Sequence, residues 1–482
     1  MTRYRMAALA AVLVLGAALR FYHLDREGLW TDEVLSVDLA RRPWPALLPA
    51  TQEDGHPPLY LTALRLWMGA FGDGEAGVRS LSAVIGVATL AAFFALAARL
   101  LPMRGALLAT LLLACSPYHV YYSQEARNYA LLLLLTVLSY LALLAWDERP
   151  RPGRALAYVA ATTLLLYTHV FGFFVWGAQL LWIATRARKR EDRVFRLLPS
   201  VAVAVLVLPW LVAPWTAMLL RQTSARTTGL HLARPTLWSL FTSAYQFAGA
   251  PLTAAVLLPA AALELYHALA RDEGDGAAER GRQLGRRQTA VFLLLWAALP
   301  QLVPFLISQF AVPIYITRAT IVTLPVLYLL AAAILDRQGG RWCFAVVSIA
   351  VLSSLGAQAL YFKGRTKEQW REAAAAVDAR AQSGDVVVFD AGYGRRGFDH
   401  YSHAPALRKV AIANDLASPA GAGELAALPA DTRRLWVVRF QRPPGRARVV
   451  EALAGRYRLA GFAAYPGIEL FLFEKSGTSP IS

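Results

Sequence analysis

Apolar stretches long enough to cross a bilayer recur along most of this 482-residue chain. A helix needs about 20 apolar residues to span the hydrocarbon core. About eleven segments approach that length: roughly 6–22, 76–100, 105–122, 128–146, 155–169, 170–186, 196–216, 251–270, 289–310, 316–335 and 342–362. The stretch 155–186 is long for one span and short for two, and Thr168-His169 lies at its middle, so it reads as a tight helical hairpin. The composition agrees, with 57% apolar residues and 17% charged, where soluble domains carry about 25% charged. This much apolar surface excludes a disordered chain and a single soluble globule. The sequence therefore predicts an all-α polytopic membrane protein. Residues 1–20 resemble a signal peptide in outline, but no A-x-A-like cleavage site follows and Phe21-Tyr22-His23 makes an interfacial end. The first span is expected to be retained.

The formal net charge is +17. Its distribution argues against nucleic-acid binding, because much of the excess sits in short arginine-rich loops between the apolar segments. With the N-terminus inside, the inside loops carry Arg3 and Arg5; Arg99 and Arg104; Arg149, Arg151 and Arg154; the run 186–196; the stretch 271–287; and Arg337 with Arg341. The first outside loop, 23–75, is acidic. Eleven spans put the C-terminus outside. The two cysteines, Cys115 and Cys343, lie in apolar runs and form no metal-binding or disulfide spacing.

Two regions are not spans. The loop 23–75 holds helical pieces from Asp32 to Ala40 and from Pro58 to Phe71. The second places Leu61, Leu64, Trp67 and Met68 at helical spacing, which predicts a helix lying on the membrane surface. Beyond 363 the composition changes. An amphipathic helix around 367–381 precedes three short strand-like runs, 385–390, 434–439 and 468–473. The expected division is a membrane domain over 1–362 and a small extracytoplasmic α/β domain over 363–482. The stretch 271–288 reads as a flexible linker, and no internal repeat is visible.

Polar residues near the membrane carry the chemical information. In Trp30-Thr31-Asp32-Glu33, Thr31 suits a helix N-cap and the acids suit the first turn. The same placement suits a carboxylate that deprotonates an acceptor hydroxyl, and adjacent acids point apart, so one of Asp32 and Glu33 serves. Asp54-Gly55-His56-Pro57-Pro58-Leu59-Tyr60 reads as a turn and a helix start, or as a phosphate site to which His56 adds a donor or metal ligand. In Tyr122-Ser123-Gln124-Glu125-Ala126-Arg127-Asn128-Tyr129, Glu125 and Arg127 form a local anchor, or Glu125 holds a metal or polar ligand and Arg127 a phosphate. His169 at the hairpin tip, Gln124, and Tyr315 with Arg318 are further candidates. Gly392-Tyr393-Gly394-Arg395-Arg396-Gly397 reads as a basic, flexible, solvated stretch. No Walker loop, dinucleotide turn or HExxH is present, which argues against a soluble nucleotide donor.

Taken together, Trp30-Thr31-Asp32-Glu33, His56-Pro57-Pro58-Leu59-Tyr60 and Tyr122 to Tyr129 resemble the bacterial protein mannosyltransferase-like (PMT-like) glycosyltransferases of family 39. These belong to the C-type (GT-C) superfamily, with the lipid A aminoarabinose transferases as relatives. The resemblance covers about 1–362 and is strongest over 20–140. It implies a GT-C helical bundle with juxtamembrane helices in the first outer loop. It implies a polyprenyl-phosphate-linked sugar donor, mannose being one candidate sugar, and a lipid, glycan or protein acceptor. The reaction it implies runs on the outer face of the cytoplasmic (inner) membrane, with inversion. Asp32 stands at the position of the family's base. Arg127, His56, Arg318 and Tyr129 are the candidates for the donor phosphate. Some C-type enzymes use a divalent metal, for which Glu125 and His56 are the candidate ligands. The aminoarabinose transferases carry Glu-Lys-Pro-Pro where this chain has Gly55-His56-Pro57-Pro58, a departure that bears on substrate and metal alike. A transporter or lipid flippase is the alternative, against which stand the few mid-span charges and the missing repeat. A non-catalytic envelope assembly protein is another, and it would be indifferent to substitution of Asp32.

Overall fold

The computed structural model describes residues 3–186, 190–211, 233–270, 284–404, 407–416, 418–424, 428, 432–441 and 445–476. The chain divides into two compact units, Met1–Leu24 with Leu39–Phe362, and Asp25–Asp38 with Lys363–Ser482. The expected linker falls largely on 271–283, outside the described residues.

The first unit is helical. Among the described residues, eight helices are long and apolar enough to cross a membrane: Arg3–Phe21, Glu75–Leu100, Tyr129–Glu148, Glu191–Trp210, Pro251–Ala270, Arg286–Phe310, Ala319–Gln338 and Gly340–Lys363. Three further expected spans are shorter. Met103–Ala114 has 12 residues, and Pro152–Leu166 and Gly172–Arg186 have 15 each and form the expected hairpin. Burial sorts centre from periphery: 89% of the Ala319–Gln338 window is enclosed by protein, against 11% of Arg3–Phe21. In the interior, two large aromatic side chains place their polar ends on backbone carbonyls. Trp296 Nε1 donates to the Val322 carbonyl at 2.8 Å and the Tyr328 hydroxyl to that of Phe247 at 2.9 Å, as a medium without water requires.

The expected span 105–122 is broken. Pro117 brings no N–H and drives Ser116 into an extended conformation. The first helix ends at Ala114, and a second, Pro117–Ser123, restarts with the Ser116 hydroxyl accepting the His119 N–H at 3.2 Å. Carbonyls at the break are covered by Arg20, fully buried, which donates to Ala114 at 3.1 Å and Leu113 at 3.4 Å.

The loop 23–75 contains three helices, Thr31–Arg41, Trp44–Asp54 and Leu59–Phe71. The middle one was not expected, because Pro45 and Pro49 read as breakers and its apolar pattern is short. The third does not present Leu61 and Leu64 to a membrane: both are buried in protein. Its Trp67 Nε1 donates to Ser80 Oγ at 2.9 Å and the Tyr60 hydroxyl lies 3.5 Å from Ser82 Oγ, so the apolar face packs on Glu75–Leu100. Periodicity identified the face but not what covers it. A further unexpected helix, Leu237–Ala248, exposes Trp238, Phe241 and Tyr245.

The second unit holds a five-stranded sheet of β1 (Val386–Asp390), β2 (Arg408–Ile412), β3 (Arg434–Phe440), β4 (Tyr457–Tyr465) and β5 (Ile468–Lys475), in the order β2-β1-β3-β5-β4. β1 pairs parallel with β2 and β3, while β5 pairs antiparallel with β3 and β4. Alternation splits each central strand between two cores. Val387, Phe389, Trp436 and Val438 pack with Trp370, Val377 and Phe398 on one face, and Val386, Val388, Leu435 and Val437 pack with Val449 and Leu453 on the other. Burial on both faces explains the continuous apolar runs that marked β1, β3 and β5 in the sequence. β2 and β4 sit at the edges with half-exposed patterns and left no such run. The stretch 392–397 is not a flexible loop. It forms a tight turn and enters the helix Arg395–Tyr401, where a Cβ on Gly397 would come 2.6 Å from the Trp370 indole. Its glycines serve close packing.

Candidate active site

Four separate segments of the first unit bring polar groups to one place. The helix Trp44–Asp54 ends in Gly55, whose left-handed conformation (φ 71°) turns the chain so that His56 comes back over Asp54. His56 Nδ1 lies 2.8 Å from the Asp54 carbonyl and 3.3 Å from its carboxylate. Arg127, in the connection before the helix Tyr129–Glu148, donates to Asp54 Oδ1 at 2.8 Å, and both side chains are about 5% exposed or less. The hairpin tip is tied to the same place. Leu59 N–H donates to the Tyr167 carbonyl at 3.1 Å and Asn128 Nδ2 to that of Thr168 at 3.4 Å, and the His169 ring comes 4.8 Å from that of His56. The segment 315–318 is held by the Tyr118 hydroxyl, which donates to the Thr317 carbonyl at 3.1 Å, and the Arg318 guanidinium lies 5.7 Å from the centre of the Tyr129 ring. Tyr122 and Tyr118 extend the aromatic wall at ring distances of 5.2 and 4.7 Å.

The charges here are set by neighbours. Burial by itself raises the Asp54 carboxyl, but Arg127 and then His56 outweigh it and hold the group well below the usual carboxylate range. Burial first, then His56 and Arg127, push His169 well below an ordinary imidazole, so it is neutral. Its Nδ1 accepts the Phe171 N–H at 3.1 Å, which assigns the ring proton to Nε2 and makes that atom a donor. Arg127, Arg318, His169 and the tyrosine hydroxyls are all donors, which suits a phosphate oxygen.

Asp32 and Glu33 belong to the second unit. Both stand in the first turn of Thr31–Arg41, about 100° apart around the helix. Glu33 is fully buried and pairs with Lys367 at 3.1 Å, whereas Asp32 is partly exposed. Thr31 does not cap the helix as expected; its hydroxyl donates to Glu368 at 2.6 Å.

Two of the remaining candidates, Gln124 and Tyr315, hold structure. Gln124 Nε2 donates to the carbonyls of Leu19, Arg20 and Tyr22, closing the end of the first span. The Tyr315 hydroxyl bonds Gln301 at 2.8 Å and Ser243 at 2.7 Å. Glu125 is buried beside the Tyr121 hydroxyl. Among the described residues no group of three or more His, Cys, Asp or Glu side chains is gathered to hold a metal. The carboxylate nearest His56 is already paired with the Arg127 guanidinium. Sequence reasoning missed Asp54 as the partner of Arg127. The one available signal was the acid two residues before His56.

Comparison with known proteins supports the resemblance. The family model described as dolichyl-phosphate-mannose-protein mannosyltransferase matches residues 55–215, about a third of the chain. That stretch contains His56, Arg127, Tyr129 and His169. No curated protein matches the chain by sequence. Among solved structures, ArnT from Cupriavidus metallidurans in the apo state aligns with a TM-score of 0.61 at 14% identity, covering 97% of each chain. The same protein bound to undecaprenyl phosphate gives 0.58 at 14% identity, covering 98% of each. The Archaeoglobus fulgidus oligosaccharyltransferase in the apo form gives 0.59 at 12% identity, covering 99% of this chain and 75% of that one. At such identities the likeness is one of fold. The chain is thus a multi-pass membrane protein with the fold of the GT-C glycosyltransferases, and within it residues 55–215 match the protein mannosyltransferase family.

Proposed function

We propose that this chain is an integral membrane glycosyltransferase that moves a sugar from a polyprenyl-phosphate donor to a hydroxyl of a lipid, glycan or protein acceptor. The reaction is assigned to the outer face of the cytoplasmic membrane, in keeping with the arginine bias of the opposite loops. The observation that carries the reading is the gathering of Arg127, Arg318, His56 and His169 beside Tyr129 from four segments of the chain. Its chemistry suits a lipid-linked phosphate, and the C. metallidurans ArnT, which shares the fold, has been solved with undecaprenyl phosphate bound.

In this reading Asp32 takes the proton of the acceptor hydroxyl and the oxygen attacks the anomeric carbon. The bond from that carbon to the phosphate oxygen breaks, the electron pair leaves on the lipid phosphate, and the configuration inverts. Arg127 and Arg318 meet the charge that develops on the leaving phosphate, and His169 Nε2–H adds a donor, while His56 gives its Nδ1–H to the Asp54 carbonyl and lines the same place. Glu33 is committed to Lys367 and to the Trp30 N–H, which favours Asp32 over Glu33 as the base. No step is routed through a metal.

The test is transfer in isolated membranes from a radiolabelled polyprenyl-phosphate sugar pool, comparing wild type with Asp32→Asn. Asn keeps the shape and removes the base. Transfer lost at a normal protein level is the expected result, and transfer at the wild-type rate would overturn the assignment of Asp32.

A further inference from the structure

The segment that carries Asp32 is stitched into the second unit on both sides of that residue. Upstream, Glu27 accepts the backbone N–H groups of Thr366 at 2.9 Å and Lys367 at 2.8 Å, and Arg371 Nη2 donates to the Arg26 carbonyl at 2.9 Å. The Tyr401 hydroxyl accepts the Leu29 N–H at 2.6 Å. Immediately before Asp32, one oxygen of Glu368 accepts the Thr31 N–H at 2.9 Å, the Thr31 hydroxyl at 2.6 Å and the Trp370 indole N–H at 3.1 Å. Immediately after it, Glu33 receives Lys367 Nζ at 3.1 Å on one oxygen and the Trp30 N–H at 3.3 Å on the other. The Glu33 and Lys367 side chains are 0% and 3% exposed.

The two sides hold different degrees of freedom. Glu33 reaching back to the Trp30 N–H closes the first turn of the helix from within. The buried charge pair fixes the rotation of that turn, because a carboxylate enclosed this completely cannot leave its ammonium without a large desolvation penalty. Asp32 stands between Thr31 and Glu33, both held, and its own side chain is partly exposed.

We infer that Lys367 and Glu33, with Glu368, are positioning residues for Asp32, so that the stretch 363–482 sets the aim of the base although it supplies no reacting atom. This rests on the assignment of Asp32 above. A displacement of about 1 Å at a reacting group costs up to about a hundredfold in rate. The pair therefore acts on turnover and leaves donor binding alone.

The experiment measures kcat and donor KM per folded molecule, on full-length protein in detergent, with a polyprenyl-phosphate mannose donor. Its variants are Lys367→Met, Lys367→Arg, Glu33→Gln with Lys367→Met, and Asp32→Asn. Lys367→Met is expected to lower kcat about ten- to hundredfold with KM within about twofold. The neutral double variant is expected to recover most of it, since no lone buried charge remains. Where Lys367→Met does not fold, Lys367→Arg gives the readout, with kcat lowered at constant KM. Wild-type kcat in whichever of these two folds, beside an inactive Asp32→Asn, overturns the positioning role and leaves the base assignment standing. An active Asp32→Asn overturns the base assignment itself, and the positioning role falls with it.

Discussion

Two buried arginines, one in each unit, lie against carboxylates and differ in what surrounds them. Arg439 is 3% exposed and contacts Asp390 and Glu469 at 2.9 Å and Asp415 at 3.5 Å. Its neighbours are acids, which repel an anion and tie the ends of β1, β3 and β5 together. Arg127 is equally buried, but around its partner Asp54 stand His56 and His169, with the rest of the site bringing Arg318 and tyrosine hydroxyls. These groups donate hydrogen bonds. A buried guanidinium–carboxylate pair by itself therefore says nothing about function. The chemistry of the surrounding groups separates a structural clamp from a place suited to a phosphate.

Substitution of the two arginines tests this contrast most strongly. Arg127→Met leaves Asp54 buried without its guanidinium, which costs about 3–5 kcal/mol, and is expected to abolish transfer from the labelled donor even in the fraction that folds. Arg439→Met carries a similar cost of about 3–5 kcal/mol, read as a lower midpoint of thermal unfolding in detergent, while turnover per folded molecule stays at the wild-type value. Equal losses of turnover in the two variants would erase the distinction.

A smaller effect belongs to Arg318, which is half-buried and lies over Tyr129. Arg318→Gln is expected to raise the donor KM about tenfold, the worth of one charged hydrogen bond of about 1.5 kcal/mol, with the unfolding midpoint unchanged. A KM equal to wild type would remove Arg318 from the donor site.

The smallest effect is one of pH. The Asp54 carboxyl is lowered on folding, so the unfolded chain binds its proton more readily. The stabilisation is present above the unfolded value of about 4 and is lost as the pH falls through the lower folded value. Unfolding midpoints of wild type and Asp54→Asn, compared from neutral pH downward, are expected to begin to converge as the pH falls below about 4. A constant difference would show that Asp54 does not titrate as its surroundings require.

How far the sequence reached can be judged residue by residue. Eight spanning segments follow from length and hydrophobicity alone, the break at Pro117 in the expected span 105–122 does not, and the three strands with both faces buried follow from unbroken apolar runs. The strands β2 and β4 left no run because half of each faces solvent. The helix Trp44–Asp54 hid behind its prolines. At the candidate site, local motifs singled out His56, Arg127, His169 and Arg318, since a polar residue beside a membrane span stands out wherever it falls. Asp54 did not stand out, because an acid before a glycine reads as a turn.

The sequence by itself determined which segments are apolar enough to cross a membrane, which way the loop charges are biased, and where the chain changes from bundle to sheet. These properties are local: they depend on window hydrophobicity, period and nearby charge. Only the tertiary structure decided that Arg127 meets Asp54 across 73 residues, that Glu33 meets Lys367 across 334, and that Leu61 and Leu64 face protein. Pairing at such distances depends on which helices and strands become neighbours. A carboxylate's immediate sequence carries no record of the cation that will bury it.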